Sequence, residues 1–203
     1  MPFELTLEST SSVSPSLAEA ALSSSLIACG IGILLVMLFI LVFYRLPGLM
    51  AALALVAYIS IILLVMCEFQ AITGSIINLT LPGIAGIVLG VGMAVDANVI
   101  IFERIKEELR IGKTVGASTE AGFKRAFTAI LDGNVTTMIV ALILFFLGTG
   151  TIKGFAITLG LGIIISMITA IFVTRFLLRA LIGFNIRNPK LYGASMKGGK
   201  NNA

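Results

Sequence analysis

The stretch VGMAVDANVIIFER at 91–104 sets a carboxylate, Asp96, and an amide, Asn98, two places apart in an apolar run. The chemistry open to an aspartate in such a setting is proton exchange as its surroundings change. A charged aspartate near the centre of a bilayer-crossing helix costs about 2.5–3.5 kcal/mol on insertion scales, so an ionisable group there is a functional hypothesis by default. A second polar group lies in DGNVTT at 132–137, where Asn134 and Thr137 stand one helical turn apart and Ala141 continues their face. Asp132 fits either of two roles: a member of that polar stripe, or a carboxylate complementing the dipole at the start of its helix. A third set, Thr158, Gly162, Ser166 and Thr169, recurs at helical spacing. Serines, threonines and glycines of this kind serve as readily to glue helices together as to line a path.

The elements that must carry these groups are membrane helices. The chain is 58% hydrophobic and 12% charged, with a mean hydropathy of +1.11, whereas a soluble domain carries about 25% charged residues. Segments at roughly 21–44, 49–67, 81–103, 128–147 and 155–176 each approach the ~20 apolar residues that a crossing requires. The composition therefore predicts an all-α integral membrane protein with five transmembrane helices. RLPG at 45–48, EFQAITGS at 68–75 and GTGTIKG at 148–154 punctuate the spans. A charged connection at 104–127 continues the third span as a helix over 103–109 and breaks at Gly112 and Gly116, with Ser118 as an N-cap. The part beyond Ser118 reads equally well as an interfacial helix or as a solvated connector.

Basic residues orient the spans, because loops rich in Lys and Arg stay in the cytoplasm. Of the 14, all but Lys153 fall on one side, which puts residues 1–20 outside and the basic tail 177–203 inside. The net charge of +4 is a topology signal and an attraction to membrane lipids; it does not point to nucleic acid. Asp96 shares its face with Leu89, Gly92, Ile100 and Glu103, beside a small-residue stripe through Gly83, Gly86, Gly90, Ala94 and Ala97. Residues Gly86, Gly90, Gly92 and Ala94 are thus candidates for close helix packing, with Asp96 pointing into a helix-packed interior. Three helices together offer one polar, small-residue core.

No cofactor or metal is expected. Histidine is absent, and Cys29 and Cys67 sit in separate apolar runs as small buried residues without ligand spacing. IGKT at 111–114 ends like a phosphate-binding loop, but Glu107 stands where its first glycine is required. No residue reads as a catalytic nucleophile, so no enzyme is expected.

The ordered series YRLPG at 44–48, LPGIAGIVLGVGMAVDANVIIFERIKEEL at 81–109, AGFKRAFTAILDGNVTT at 121–137 and GTGTIKGFAITLGLGI at 148–163 closely resembles the membrane region of the SecD/SecF protein-export family, relatives of the RND proton-driven transporters. The form DANVIIFER is similar to the SecD branch. The resemblance implies that the five spans are the family's second to sixth, an RND-like half-bundle lacking the first helix and the large extracytoplasmic domain. It implies that Asp96 is the proton-coupling residue, with Asn134, Thr136, Thr137 and Asp132 supporting the path. It further implies a SecF-like partner, the SecYEG channel, a translocating polypeptide and a bacterial inner-membrane location.

Overall fold

The computed structural model describes residues 15–73 and 81–183. It consists of α1 (Pro15–Thr73), α2 (Leu81–Arg110), α3 (Val115–Leu147) and α4 (Thr151–Ile168), which runs through a π-helical segment (Thr169–Val173) into α5 (Thr174–Gly183). The expected outer tail up to residue 14, the loop at 74–80 and the basic tail from 184 lie outside the described residues. Among the described residues there is no strand, and four helical stretches are long and apolar enough to cross a membrane: Ala20–Glu68, Leu81–Arg110, Val115–Leu147 and Thr151–Gly183.

The spans expected at 21–44 and 49–67 form one continuous element, so the sequence reading of five helices becomes four. The break between the two is nonetheless present within α1. Arg45 has φ 51° and ψ −113°, outside the helical region and sterically costly for any residue with a Cβ. Pro47 follows in the first turn of the second arm, where its missing N–H costs no hydrogen bond. A Cβ on Gly48 would collide with the carbonyl of Ile40, although eight residues of straight helix would hold these groups about 12 Å apart. The chain therefore folds back sharply at Arg45. Both arms join the same clusters: Ile33 and Met37 pack against a core of Leu55, Tyr58, Ile62, Val91, Ala94 and Ile165.

The small-residue stripe of α2 closes on α4. Gly83, Gly86, Gly90, Ala94 and Ala97 are all buried. A Cβ on Gly86 would run into the Thr158 hydroxyl and stand 3.2 Å from the Phe155 carbonyl oxygen. Gly90 lies against the Tyr58 hydroxyl and 3.5 Å from the Gly162 Cα, as measured from the same ideal Cβ position. Thr158, Gly162, Ser166 and Thr169 of α4 and the π segment are buried in return. Thr158 and Ser166 donate to carbonyls three residues back, and Thr169 donates to Ile165 O. Their hydroxyls are thus satisfied inside their own helix, and the seam is glued by close van der Waals contact. Gly92 differs from the expected packing role: it is exposed, with nothing within 4 Å of an added Cβ. The two cysteines also differ, Cys29 being half-buried and Cys67 exposed.

At the charged end, α2 does continue through 103–109, and Gly112 with φ 98° makes the turn that a Cβ would disfavour. The next helix starts earlier than expected. Thr114 is its N-cap, accepting from the Ala117 N–H at 3.4 Å, so Gly116 lies inside α3 and Ser118 is a buried helical residue. One 33-residue helix replaces the interfacial helix or solvated connector, and the separate fourth span, that the sequence suggests. Around it, Ile105 and Leu109 of α2, Phe123 and Ile130 of α3, and Leu178 of α5 form the main apolar core together with Tyr44 of α1.

Candidate functional site

Asp96 does not point into the interior of this chain. It is exposed, on the same open face of α2 as Leu89 and Gly92, while the opposite, small-residue face is committed to α4. Position decides this: the buried residues Ala94, Ala97, Asn98 and Ile101 claim the inward side of the helix. At 1.5 Å per residue Asp96 lies about 22 Å along α2 from Leu81, well within the apolar length.

Beside it a cleft of about 200 Å³ opens between α2 and α3, lined by Met93, Asp96, Ala97 and Ile100 on one side and by Ala129, Ile130, Gly133, Asn134 and Thr137 on the other. The structure thus brings together three of the residues singled out from sequence: Asp96, Asn134 and Thr137. It does not bring in Asp132 or Thr136, which are exposed and do not line this cleft. Thr136 donates to Asp132 O and Thr137 to Gly133 O, each at 3.0 Å, which leaves their hydroxyl oxygens free to accept. The single polar core expected from three helices is therefore two places: a closed α2–α4 seam, and an open α2–α3 cleft that holds a carboxylate, an amide and a hydroxyl. Among the described residues Asp96 makes no ion pair.

Asn98 is a residue that spacing could not assign. It is buried, donates from Nδ2 to Ala94 O at 3.1 Å, and accepts at Oδ1 from the Thr174 hydroxyl at 2.7 Å. The contact spans 76 positions. The π segment makes it: Thr174 N–H reaches back to Thr169 O, and the extra residue in that turn re-aims Thr174 inward. Asn98→Ala is expected to destabilise the chain by about 1 kcal/mol, since it takes away the 2.7 Å acceptor of the buried Thr174 hydroxyl and leaves it only the longer 3.4 Å contact to Thr169 O. The double variant with Thr174→Val should cost less than the sum of the singles, as read by unfolding in detergent.

Glu108 is a second such residue, buried at 3% exposure at the α2–α3 elbow. Lys113 Nζ stands 2.5 Å from Oε2 as an ion pair, and Arg125 Nη1 donates to Oε1 at 2.7 Å. Lys113 first and Arg125 second hold the Glu108 carboxyl below the usual glutamate value of 4.5. A carboxylate depressed on folding stabilises the folded state above its unfolded pKa, and that stabilisation is lost as pH falls through the lower folded value. Protection of the amides of 111–117, taken relative to their intrinsic exchange rate at each pH, should therefore hold down to about pH 4.5 and fall below it. In Glu108→Gln it should be low throughout.

The family of protein export membrane proteins described as SecD/SecF, C-terminal, matches residues 2–183. The chain belongs to the SecD/SecF family. Its family region ends where α5 ends, at Gly183, and includes both walls of the Asp96 cleft. It is 52% identical over 195 residues to the protein translocase subunit SecD of Acidaminococcus fermentans, covering 96% of this chain and 45% of that protein. Over 182 residues it is 47% identical to the protein translocase subunit SecDF of Bacillus subtilis, covering 90% of this chain and 24% of that one. The fold is similar to the crystal structure of SecDF, a translocon-associated membrane protein from Thermus thermophilus, with a TM-score of 0.77 and 37% identity over 84% of this chain and 23% of that one. The chain spans less than half the length of these SecD and SecDF relatives.

Proposed function

We propose that this chain is the transmembrane half-bundle of a SecD-like subunit that uses the proton motive force to help secreted polypeptides complete their passage across the bacterial inner membrane. Its partners in this reading are a SecF-like subunit and the SecYEG channel. The two arms of α1 cross the membrane separately, giving five crossings, with the N-terminal end outside and the basic C-terminal end in the cytoplasm. The sharp reversal at Arg45 supports the two-arm crossing, and the clustering of Lys and Arg supports the orientation.

The observation that carries the reading is the placement of Asp96, an acidic side chain deep in an apolar helix, exposed on a face that the described residues leave uncovered and bordered by Asn134 and Thr137. A second half-bundle docked on that face would enclose the carboxylate, and gain or loss of its proton would change the cost of that burial. No covalent step is involved; coupling works through a shift between two packings of the halves.

The test is translocation of a secretory polypeptide into inverted membrane vesicles holding the full-length parent and its SecF-like partner. Export should rise when the vesicles are energised and should fall to the unenergised level when a protonophore is added. If export is the same with and without the pair, while a small apolar solute is expelled, an RND-type exporter takes the place of this reading. If neither is affected, the protein is a scaffold.

A further inference from the structure

A second cleft, of about 320 Å³, opens between the first half of α3 and the π segment with α5. Its floor is apolar, formed in part by Ile101, Ile130 and Ile171, and its rim carries Lys124, Arg175 and Glu120. A smaller recess of about 150 Å³ shares Glu120 and Arg175 and adds Arg179. The rim is unevenly charged, three cations against one carboxylate. Glu120 neutralises them loosely: it is 74% exposed, and its Oε1 lies 4.0 Å from Arg175 and 3.8 Å from Arg179. Lys124 makes no ion pair among the described residues.

The position of this cleft decides what fits it. Its floor belongs to segments long and apolar enough to lie in a membrane, while its rim belongs to the charged end where α2 turns into α3. A free anion would satisfy the rim and leave the apolar floor wet. A hydrocarbon chain would fill the floor and leave the cations unanswered. A molecule with an anionic head and an apolar tail meets both, and the surrounding bilayer supplies it. Basic side chains at the membrane surface attract anionic lipid by about 1 kcal/mol each, or about fivefold in affinity.

We propose that this cleft is a binding site for one anionic phospholipid, its phosphate held by Lys124 and Arg175 and one acyl chain lying along Ile101, Ile130 and Ile171. The site is separate from the Asp96 cleft, but Ile130 lines both. Lipid occupancy thus props the wall that the proton-bearing helix faces.

The test is native mass spectrometry of the whole chain in detergent, titrated with phosphatidylglycerol or phosphatidylcholine. Phosphatidylglycerol should bind at one site and the zwitterionic lipid much more weakly. Lys124→Gln with Arg175→Gln should weaken phosphatidylglycerol binding about thirtyfold, whereas Lys153→Gln, a lost cation at the other end of the bundle, should change nothing. Glu120→Gln removes the competing carboxylate and should tighten binding severalfold, a gain that misfolding cannot imitate. Equal binding of the two lipids, an unchanged double variant, or no gain in Glu120→Gln overturns the site. Displacement of the lipid by glycerol phosphate at matching concentration would also overturn it, by showing that the floor contributes nothing.

Discussion

Asp96→Asn is expected to abolish the energised component of polypeptide export while leaving abundance and partner assembly at wild-type levels. Asparagine matches aspartate in size and keeps a polar group beside Asn134 and Thr137, but it cannot exchange a proton at the carboxyl oxygen. The neighbouring packing should hold, since the residues that pack α2 against α4 lie on the other face of the helix. The expected effect is large because moving one charge through 100 mV supplies about 2.3 kcal/mol, enough to bias a two-state equilibrium about fiftyfold. The measurement is export into inverted vesicles, with and without protonophore, for the variant and wild type at matched protein levels. If energised export is undiminished, Asp96 is a packing residue for a neighbouring subunit and the scaffold reading stands.

The second large effect is expected from the α2–α4 seam. Gly86→Leu would drive a side chain into the Thr158 hydroxyl and towards the backbone of Phe155 and Leu159. Overpacking of a closed site costs about 1–3 kcal/mol and sometimes more. Here backbone as well as side chain must move, so a loss of about 3 kcal/mol is expected. Unfolding in mixed detergent micelles reads it, as an earlier transition and a poorer monodisperse yield. Gly92→Leu, six residues further on, should leave the stability of the isolated chain unchanged because its surroundings are open. If Gly92 packs against a partner half-bundle, that variant should weaken co-purification of the SecF-like subunit while Gly86→Leu weakens the fold itself.

Much of this arrangement was legible in the sequence because the bilayer imposes long apolar helices with few charges. The all-helical class, the break at RLPG, the charged extension of α2 and the Gly86–Gly90 stripe all follow from patterns within about one turn to one span. Two misreadings share a cause. Gly116 and Ser118 carry local turn and cap signals, but Thr114 caps first and the helix runs through both. The signals were genuine and were outcompeted by a neighbour two to four residues away. Asp96 was expected inside because polar groups in membranes avoid lipid, yet periodicity says only which residues share a face. It does not say whether that face is covered by the same chain or by another. Asn98 with Thr174, and Glu108 with Arg125, depend on contacts between distant positions and on one extra residue in a π turn, none of which leaves a trace in local spacing.

The reversal at Arg45 has a mechanical consequence. Along the first arm of α1, Ile27, Ile31, Leu34, Leu35 and Phe39 are each more than half exposed, while Ile40 and Tyr44, next to the bend, are buried in the main core. The arm is therefore held to the bundle on one side from Ile33 to the bend, and its other side offers a bilayer an unbroken row of apolar side chains. Swinging the whole arm would strip Ile33, Val36 and Met37 from the clusters they pack against, so only the stretch before Ile33 can exchange one lipid contact for another at little cost. Arg45 is thus a fixed corner that braces the inner half of the first arm against the second, while the outer half relies on its surroundings for lateral support.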